Sequence, residues 1–266
     1  MIRLLHLSDI HFGAVDERLV EPMLDLAHRL RPDATVISGD LTQRARPEQF
    51  AAARAFIDRL PGPVLCVPGN HDMPLYNLVL RLAAPFARYR RAMGPELEPT
   101  LTLPGAVLQG VNTANPLVWK SGVLRPSSTE RLERTFASAP PGTMRIAVLH
   151  HAPVPAADGT PADMADPSAV RTALMQAGAD IVLSGHTHMP HTGIAETSAG
   201  VLFLQVGTAI SSRLKTGTND LALITLGDSE LTVESWLSPP KAAGFEAGPT
   251  TRYGRTLAAW QKLTDS

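Results

Sequence analysis

This sequence predicts an α/β fold of two stacked sheets, and three observations lead to that reading. Short apolar runs alternate with segments of helical spacing, and the first 70 residues read β-α-β-α-β, the order of a parallel sheet with helices on its faces. From about residue 200 onward, strand patterns follow one another without helices between them.

The elements are expected in this order. The run Ile-Arg-Leu-Leu-His-Leu at 2–7 reads as a strand, helical spacing covers 17–30, and strands at 34–38 and 63–67 flank a helix at 47–60. One long helical pattern spans 74–93. Strands at 106–111, 145–149 and 180–184 then alternate with helices at 127–138 and 167–177. Strands at 201–206, 220–226 and 230–236 read as antiparallel partners that complete the second sheet. Several strands are apolar on both faces, as buried sheet strands are. The Pro- and Gly-containing segments 94–105, 113–126 and 152–166 read as long loops, and loops of that length in a compact domain are often functional. One domain is expected over 1–238, followed by a tail, 239–266, that opens on Pro-Pro, carries a short helical pattern at 254–263 and has no assigned role.

Composition narrows the function. Among 266 residues, 24 Lys and Arg stand against 25 Asp and Glu, a net charge of −1, so no general attraction to nucleic acid or to an anionic membrane is expected. A phosphate-bearing substrate then needs local charge, such as a metal. The single cysteine, Cys66, lies in the apolar run Val64–Val67, which excludes an internal disulfide and suits a buried thiol. The apolar stretch of MIRLLHLSD is too short for a secretory signal, and no run of 18 apolar residues occurs, so membrane insertion is not expected and a cytoplasmic location is.

A candidate metal ligand follows one predicted strand after another. LLHLSDIH supplies Asp9 and His11, TVISGD supplies Asp40, LCVPGNHD supplies Asn70, His71 and Asp72, IAVLHH supplies His150 and His151, and IVLSGHTH supplies His186 and His188. Ligand sites of open α/β sheets gather where strands end. Each group taken alone has a plainer reading: Asp-x-His as a helix cap or loop histidine, Asn70 as a turn residue, His-His as satisfied core polar groups, His-x-His as a solvent-facing edge. All five in this order, each behind an apolar run, are hard to obtain by chance. Gly39, Gly69 and Gly185 precede three of the groups and suit sharp turns or close approach, or ordinary turns. The donors are carboxylate, amide and imidazole without thiolate, a set for Mn, Fe, Zn, Co or Ni. Asp9, His11, Asp40, Asn70, His150, His186 and His188 exceed one ion's needs, whereas two ions sharing one carboxylate use them with four protein ligands each.

The motifs D-x-H, G-D, G-N-H-D, H-H-x-P and G-H-T-H, in this sequence order over residues 4 to about 210, resemble those of the calcineurin-like metallophosphoesterases. The spacing is similar to that of the bacterial class III cyclic nucleotide phosphodiesterase branch. The resemblance implies a four-layer α/β/β/α sandwich with a dinuclear centre of divalent or trivalent ions such as Mn, Fe or Zn. One ion would be held by Asp9, His11, Asp40 and His188, and the other by Asp40, Asn70, His150 and His186, with His151 behind them. It also implies hydrolysis of a small phosphodiester, such as a cyclic nucleotide, by a hydroxide bridging the ions, with His71 facing the substrate. Asp72 would orient that imidazole, or cap a helix beginning near Pro74.

Other substrates stay open on the same site: a nucleotide-sugar or lipid-precursor diphosphate, a phosphomonoester or a glycerophosphodiester. A non-catalytic binding scaffold is the remote alternative. No nucleic-acid polymer is expected as a partner, and a homodimer is left open. Arg44, Arg46, Trp119 and His191 are candidates to meet substrate, Gln43 stands where some relatives carry an acid, and Asn112-Thr113 and 119–122 are candidates to line the pocket. His6 and His28 read as structural.

Overall fold

A computed structural model of the chain describes residues 1–266 except 157, 190, 195–199, 216, 228, 256–258 and 264–266, and gives no side-chain placement for 191–194. Its first half runs β1 (Ile2–Leu7), α1 (Val20–Leu30), β2 (Ala34–Ile37), α2 (Pro47–Ile57), β3 (Val64–Cys66), α3 (Leu78–Ala83), α4 (Ala87–Met93), β4 (Thr100–Leu103), β5 (Ala106–Val111) and α5 (Pro126–Ala137). The second half runs β6 (Met144–His151), α6 (Pro167–Gln176), β7 (Ile181–Gly185), β8 (His191–Ile194), β9 (Leu202–Gln205), β10 (Asn219–Leu226), β11 (Glu230–Ser238), β12 (Glu246–Arg255) and β13 (Trp260–Leu263).

Two sheets result, of seven strands in the order β13-β12-β11-β10-β1-β2-β3 and of six in the order β4-β5-β6-β7-β9-β8. Alternation along the strands sorts the core into three apolar layers. Leu4, Val36, Ile146, Val148, Ile181 and Ile224 meet between the sheets. Their neighbours Leu5, Leu7 and Ile37 face outward onto Met23 and Leu26 of α1 and Phe50 and Phe56 of α2. On the far side Ala147, Leu149, Val182 and Phe203 receive Leu132 and Phe136 of α5 and Leu174 of α6. The architecture is therefore the four-layer α/β/β/α sandwich, held by side chains whose burial contributes roughly 1.5–3 kcal/mol each.

Four expectations are corrected. The pattern over 74–93 yields two helices, because Pro85 cannot continue α3 and disfavours helical backbone at Ala84. The loop 94–105 contains β4, an edge strand antiparallel to β5. After β9 the chain leaves the second sheet: β10 pairs antiparallel with β1, so β10 to β13 extend the first sheet instead of completing the second. The helical pattern at 254–263 is overridden by pairing of β12 with β11 and β13, which buries Trp260 in the inter-sheet layer, its indole N–H donating to Asp180 O at 3.0 Å. Among the described residues no helix is long and apolar enough to cross a membrane.

Candidate metal centre

β1, β2 and β3 of one sheet and β6 and β7 of the other deliver their C-terminal ends to one place. The backbone turns sharply there: Asp9, His11, Asp40, His186 and His188 have φ of 51°, 55°, 50°, 75° and 57°, five of the nine described non-glycine residues in the left-handed region. That region is costly for residues with a Cβ, and such strain gathers at functional sites. Two glycines are required by close approach. A Cβ on Gly69 would overlap the Asp40 carboxylate, and one on Gly185 would overlap Ser8 Oγ and the Asp9 carboxylate.

Outer hydrogen bonds fix the imidazole tautomers. A carbonyl oxygen only accepts, so His150 Nδ1–H donates to Ser38 O at 2.8 Å, His188 Nδ1–H to Arg213 O at 2.8 Å and His11 Nδ1–H to Thr42 O at 3.5 Å. His186 meets Asp163 Oδ2 through Nε2 at 3.1 Å. Each ring thereby turns its bare nitrogen inward. His188 Nε2 lies 3.0 Å from His11 Nε2 and 3.1 Å from Asp9 Oδ1. His150 Nε2 lies 3.2 Å from Asn70 Oδ1, 3.2 Å from His186 Nδ1 and 3.4 Å from Asp40 Oδ2. Asp40 Oδ2 stands between the two groups, 3.9 Å from His11 Nε2.

Lone pairs facing lone pairs repel unless positive charge lies among them. Asp9 Oδ1 is buried without any hydrogen-bond partner, while its other oxygen accepts from Ser8 Oγ at 2.6 Å and His186 N at 2.8 Å. The donor set, the fixed tautomers and this orphaned oxygen fit metal ions. Three overlapping groups have donor atoms within 4.8 Å of one another: Asp9, His11 and His188; Asp9, Asp40 and His150; His150, His151 and His186. Electrostatics carry the same demand. Burial opposes charge on His150, yet the Asp40 carboxylate reverses this and raises it to about 9; burial likewise opposes charge on His188, and Asp9 raises it. Burial works against ionised Asp9 and Asp40 too, but His188 and His150 hold both below the usual carboxylate range. His11 is pushed down to about 3, chiefly by burial.

His71 and Asp72 occupy different positions. The His71 backbone N–H donates to Asp40 Oδ1 at 2.8 Å, its ring Nδ1–H donates to Gln43 O at 2.9 Å, and its Nε2 accepts from Arg213 Nη1 at 3.2 Å. Asp72 does not meet that ring. Its carboxylate accepts from Gly69 N at 3.0 Å, Leu41 N at 3.1 Å, Thr42 N at 2.9 Å and Thr42 Oγ1 at 3.0 Å, tying the Asp40 turn to the Asn70 turn. Nor does Asp72 cap a helix near Pro74, since α3 begins at Leu78 and Asn77 Oδ1 accepts from Leu80 N at 2.9 Å. Burial, then the Asp40 charge, push the Asp72 carboxyl up to about 7.

A cleft of about 450 Å³ opens over Asp40, Asn70, His71, His186 and His188, and is lined also by Lys120, Asp163, Arg213 and Lys215. Sequence reasoning missed Asp163, Arg213 and Lys215, which sit in loops without periodicity; only the length of 152–166 hinted at the first. His151 packs behind the site, its Nδ1 2.8 Å from Thr113 Oγ1 and its ring centroid 4.5 Å from that of His186. Arg44 Nη1 donates to Gln43 O at 2.8 Å and stands 3.2 Å from His71 Nδ1, behind that ring; neither Arg44 nor Arg46 lines the cleft. The Trp119 ring lies outside the lining, though its carbonyl accepts from Asn70 Nδ2 at 3.2 Å. The side chain of His191 lies outside the described residues. His6 meets Ser38 Oγ at 2.9 Å and His28 donates to Arg59 O at 2.9 Å; Cys66, expected buried, is only partly so, and desolvation pushes its thiol up to about 12.

Comparison with known proteins gives a family, two relatives in sequence and two in fold. The family model described as calcineurin-like phosphoesterase matches residues 2–190. Over 205 residues the chain is 30% identical to a cAMP/cGMP dual specificity phosphodiesterase of Mycobacterium tuberculosis, covering 70% of this chain and 61% of that protein. Over 105 residues it is 34% identical to a glycerophosphodiester phosphodiesterase of Enterobacter lignolyticus, covering 35% of this chain and 34% of that protein. The matched segments thus span between a third and two thirds of these relatives. In fold alone, the chain is similar to a dimetal phosphatase from Danio rerio, with a TM-score of 0.66 at 12% identity over 88% of this chain and 95% of that one. A purple acid phosphatase from yellow lupin gives a TM-score of 0.69 at 13% identity over 96% and 54%.

Proposed function

The chain belongs to the calcineurin-like phosphoesterase family, and from that premise we propose that it is a dinuclear metal-dependent phosphodiesterase acting on a small diester such as a cyclic nucleotide. The observation that carries this reading is the ring of inward lone pairs around Asp40 Oδ2. In the proposed assignment one ion is held by Asp9, His11, Asp40 and His188, and the other by Asp40, Asn70, His150 and His186. When bound, such a pair lowers the pKa of a water and offsets charge developing on phosphoryl oxygens. Support for a diester substrate comes from relatives named as cyclic nucleotide phosphodiesterases.

The chain's own groups then have separable tasks. With Nδ1–H committed to Gln43 O, His71 turns Nε2 to the cleft, where it accepts from Arg213 in the free protein; once Arg213 turns to a phosphoryl oxygen, a proton taken up at Nε2 is the one available to a departing alkoxide. Arg213, 3.2 Å from the same nitrogen, is placed to take a phosphoryl oxygen. Asp72 keeps two ligand-bearing turns in register, and Asp163 fixes the His186 tautomer. Lys120, Arg213 and Lys215 supply local positive charge that a net −1 lacks. The same three cations favour a second reading, a substrate with a second anionic group such as a nucleotide diphosphate derivative.

Elemental analysis and a substrate panel test the proposal. Manganese-loaded protein is expected to retain metal and to turn over a bis-aryl phosphate and a cyclic nucleotide faster than an aryl monoester. Preference for a nucleotide diphosphate-sugar would select the second reading, and protein that retains no metal would overturn both.

A further inference from the structure

Helix α3 is inside out. Its only buried residue is Arg81, 2% exposed, while Leu78, Val79 and Leu82 are 55%, 79% and 60% exposed. Beside it stand Tyr76, Leu117, Val118 and Trp119, so seven of the nine large hydrophobics exposed among the described residues fall in two short segments, 76–82 and 117–119. Arg81 joins them: it donates to Pro116 O at 2.8 Å, Val118 O at 2.6 Å and Pro74 O at 3.3 Å, and its guanidinium lies 4.7 Å from the Trp119 ring centroid. The apolar face is therefore built in advance, with a buried arginine holding it open. It adjoins the metal cleft, because Trp119 O accepts from Asn70 Nδ2 and the next residue, Lys120, lines the cleft.

Local charge differs from global charge. Residues 73–95 and 99–129 contain no Asp or Glu; of their cations Arg81, Arg88 and Arg125 are turned onto backbone carbonyls, while Lys120 stands at the cleft edge together with Arg213 and Lys215. Aliphatic side chains with Tyr and Trp at their margin, in segments without acids and beside Lys120, Arg213 and Lys215 of the cleft edge, complement an anionic phospholipid surface. A second copy of the chain fits less well, since a two-fold contact would set Lys120 and two segments without acids against their own copies.

We propose that the rim formed by 76–82 and 117–120 docks the protein on anionic phospholipid bilayers, with the metal cleft at the contact edge. Docking does not depend on the hydrolytic reading, so the two fail separately. The test is sedimentation of the full, metal-loaded chain with vesicles of phosphatidylcholine alone and of phosphatidylcholine mixed with phosphatidylglycerol. Wild type is expected to sediment with the mixed vesicles, and the Val79→Asp, Leu117→Asp double variant to partition about tenfold less or worse. That variant should hydrolyse a soluble bis-aryl phosphate at the wild-type rate. Trp119 emission should shift to the blue on the mixed vesicles, and the shift should be absent from Trp119→Phe, a readout that survives a poorly folded double variant. Wild type left in the supernatant, equal partitioning of the double variant, or a concentration-dependent dimer that this variant abolishes would each overturn the proposal.

Discussion

The strand-end cluster and the α3 rim both break the ordinary sorting of polar groups outside and apolar groups inside, in opposite senses. At the strand ends Asp9, His11, His150 and His151 are fully buried; at the rim Tyr76, Val79 and Leu117 are almost four-fifths exposed. Each inversion has its own support. The buried imidazoles are held from behind by Ser38 O, Thr42 O, Arg213 O and Asp163, and the exposed leucines are held from below by Arg81. The cluster needs something positive to complete it, whereas the rim needs something apolar.

The contrast is broken most severely by Asp40→Ala, which removes the carboxylate proposed to serve both ions. Elemental analysis should find metal lost, and turnover of a bis-aryl phosphate should fall to background. His71→Ala sharpens it, since the metal content should stay at the wild-type level while kcat falls by about 10²-fold or more; an unchanged rate would refute the leaving-group role. Asp163→Asn tests the outer support alone, and is expected to cost about 10- to 100-fold in metal affinity or activity, read by titrating metal into the apo protein. On the rim, Arg81→Met strands the Pro116 and Val118 carbonyls and should lower unfolding stability by about 2 kcal/mol in a denaturant titration, leaving metal content intact.

The smallest effect is a pH dependence beneath both regions. Burial lowers His6 from its ordinary 6.5 to about 3, so the folded state resists protonating it while the unfolded chain does not. That contribution is complete above pH 6.5 and is lost as pH falls from there toward about 3. Denaturant midpoints measured across that window should decline with acid, and less so in His6→Gln.

The cluster was legible because its signal is local: an apolar run followed directly by a ligating residue type, repeated five times. The layers were legible because residues such as Leu4 and Leu5, or Ile146 and Ala147, alternate between two apolar environments. What escaped was decided by distant parts of the chain. Membership of β10 in the first sheet depends on pairing with β1, and the strand at 260–263 depends on β12. Arg81 lies unremarked in the helical pattern over 74–93, and its burial depends on carbonyls of Pro74 and of the loop beyond β5. Asp163, Arg213 and Lys215 act through loop conformation, for which a single sequence carries no periodic signal.

β1 lies inside its sheet, bonded on one side to β2 and on the other to β10. As the polypeptide emerges from the ribosome, the first edge can close within a few dozen residues, but the second must wait for Asn219–Leu226. Until then β1 presents an unpaired edge, open to mispairing or to chaperone capture. His11 and His188 are separated by 177 positions, so their encounter belongs to the late, slow closing of long loops. On the proposed assignment, metal would be captured only by a nearly finished fold, and supplementing cultures with metal should raise the active fraction of folded protein without raising the yield of soluble chain.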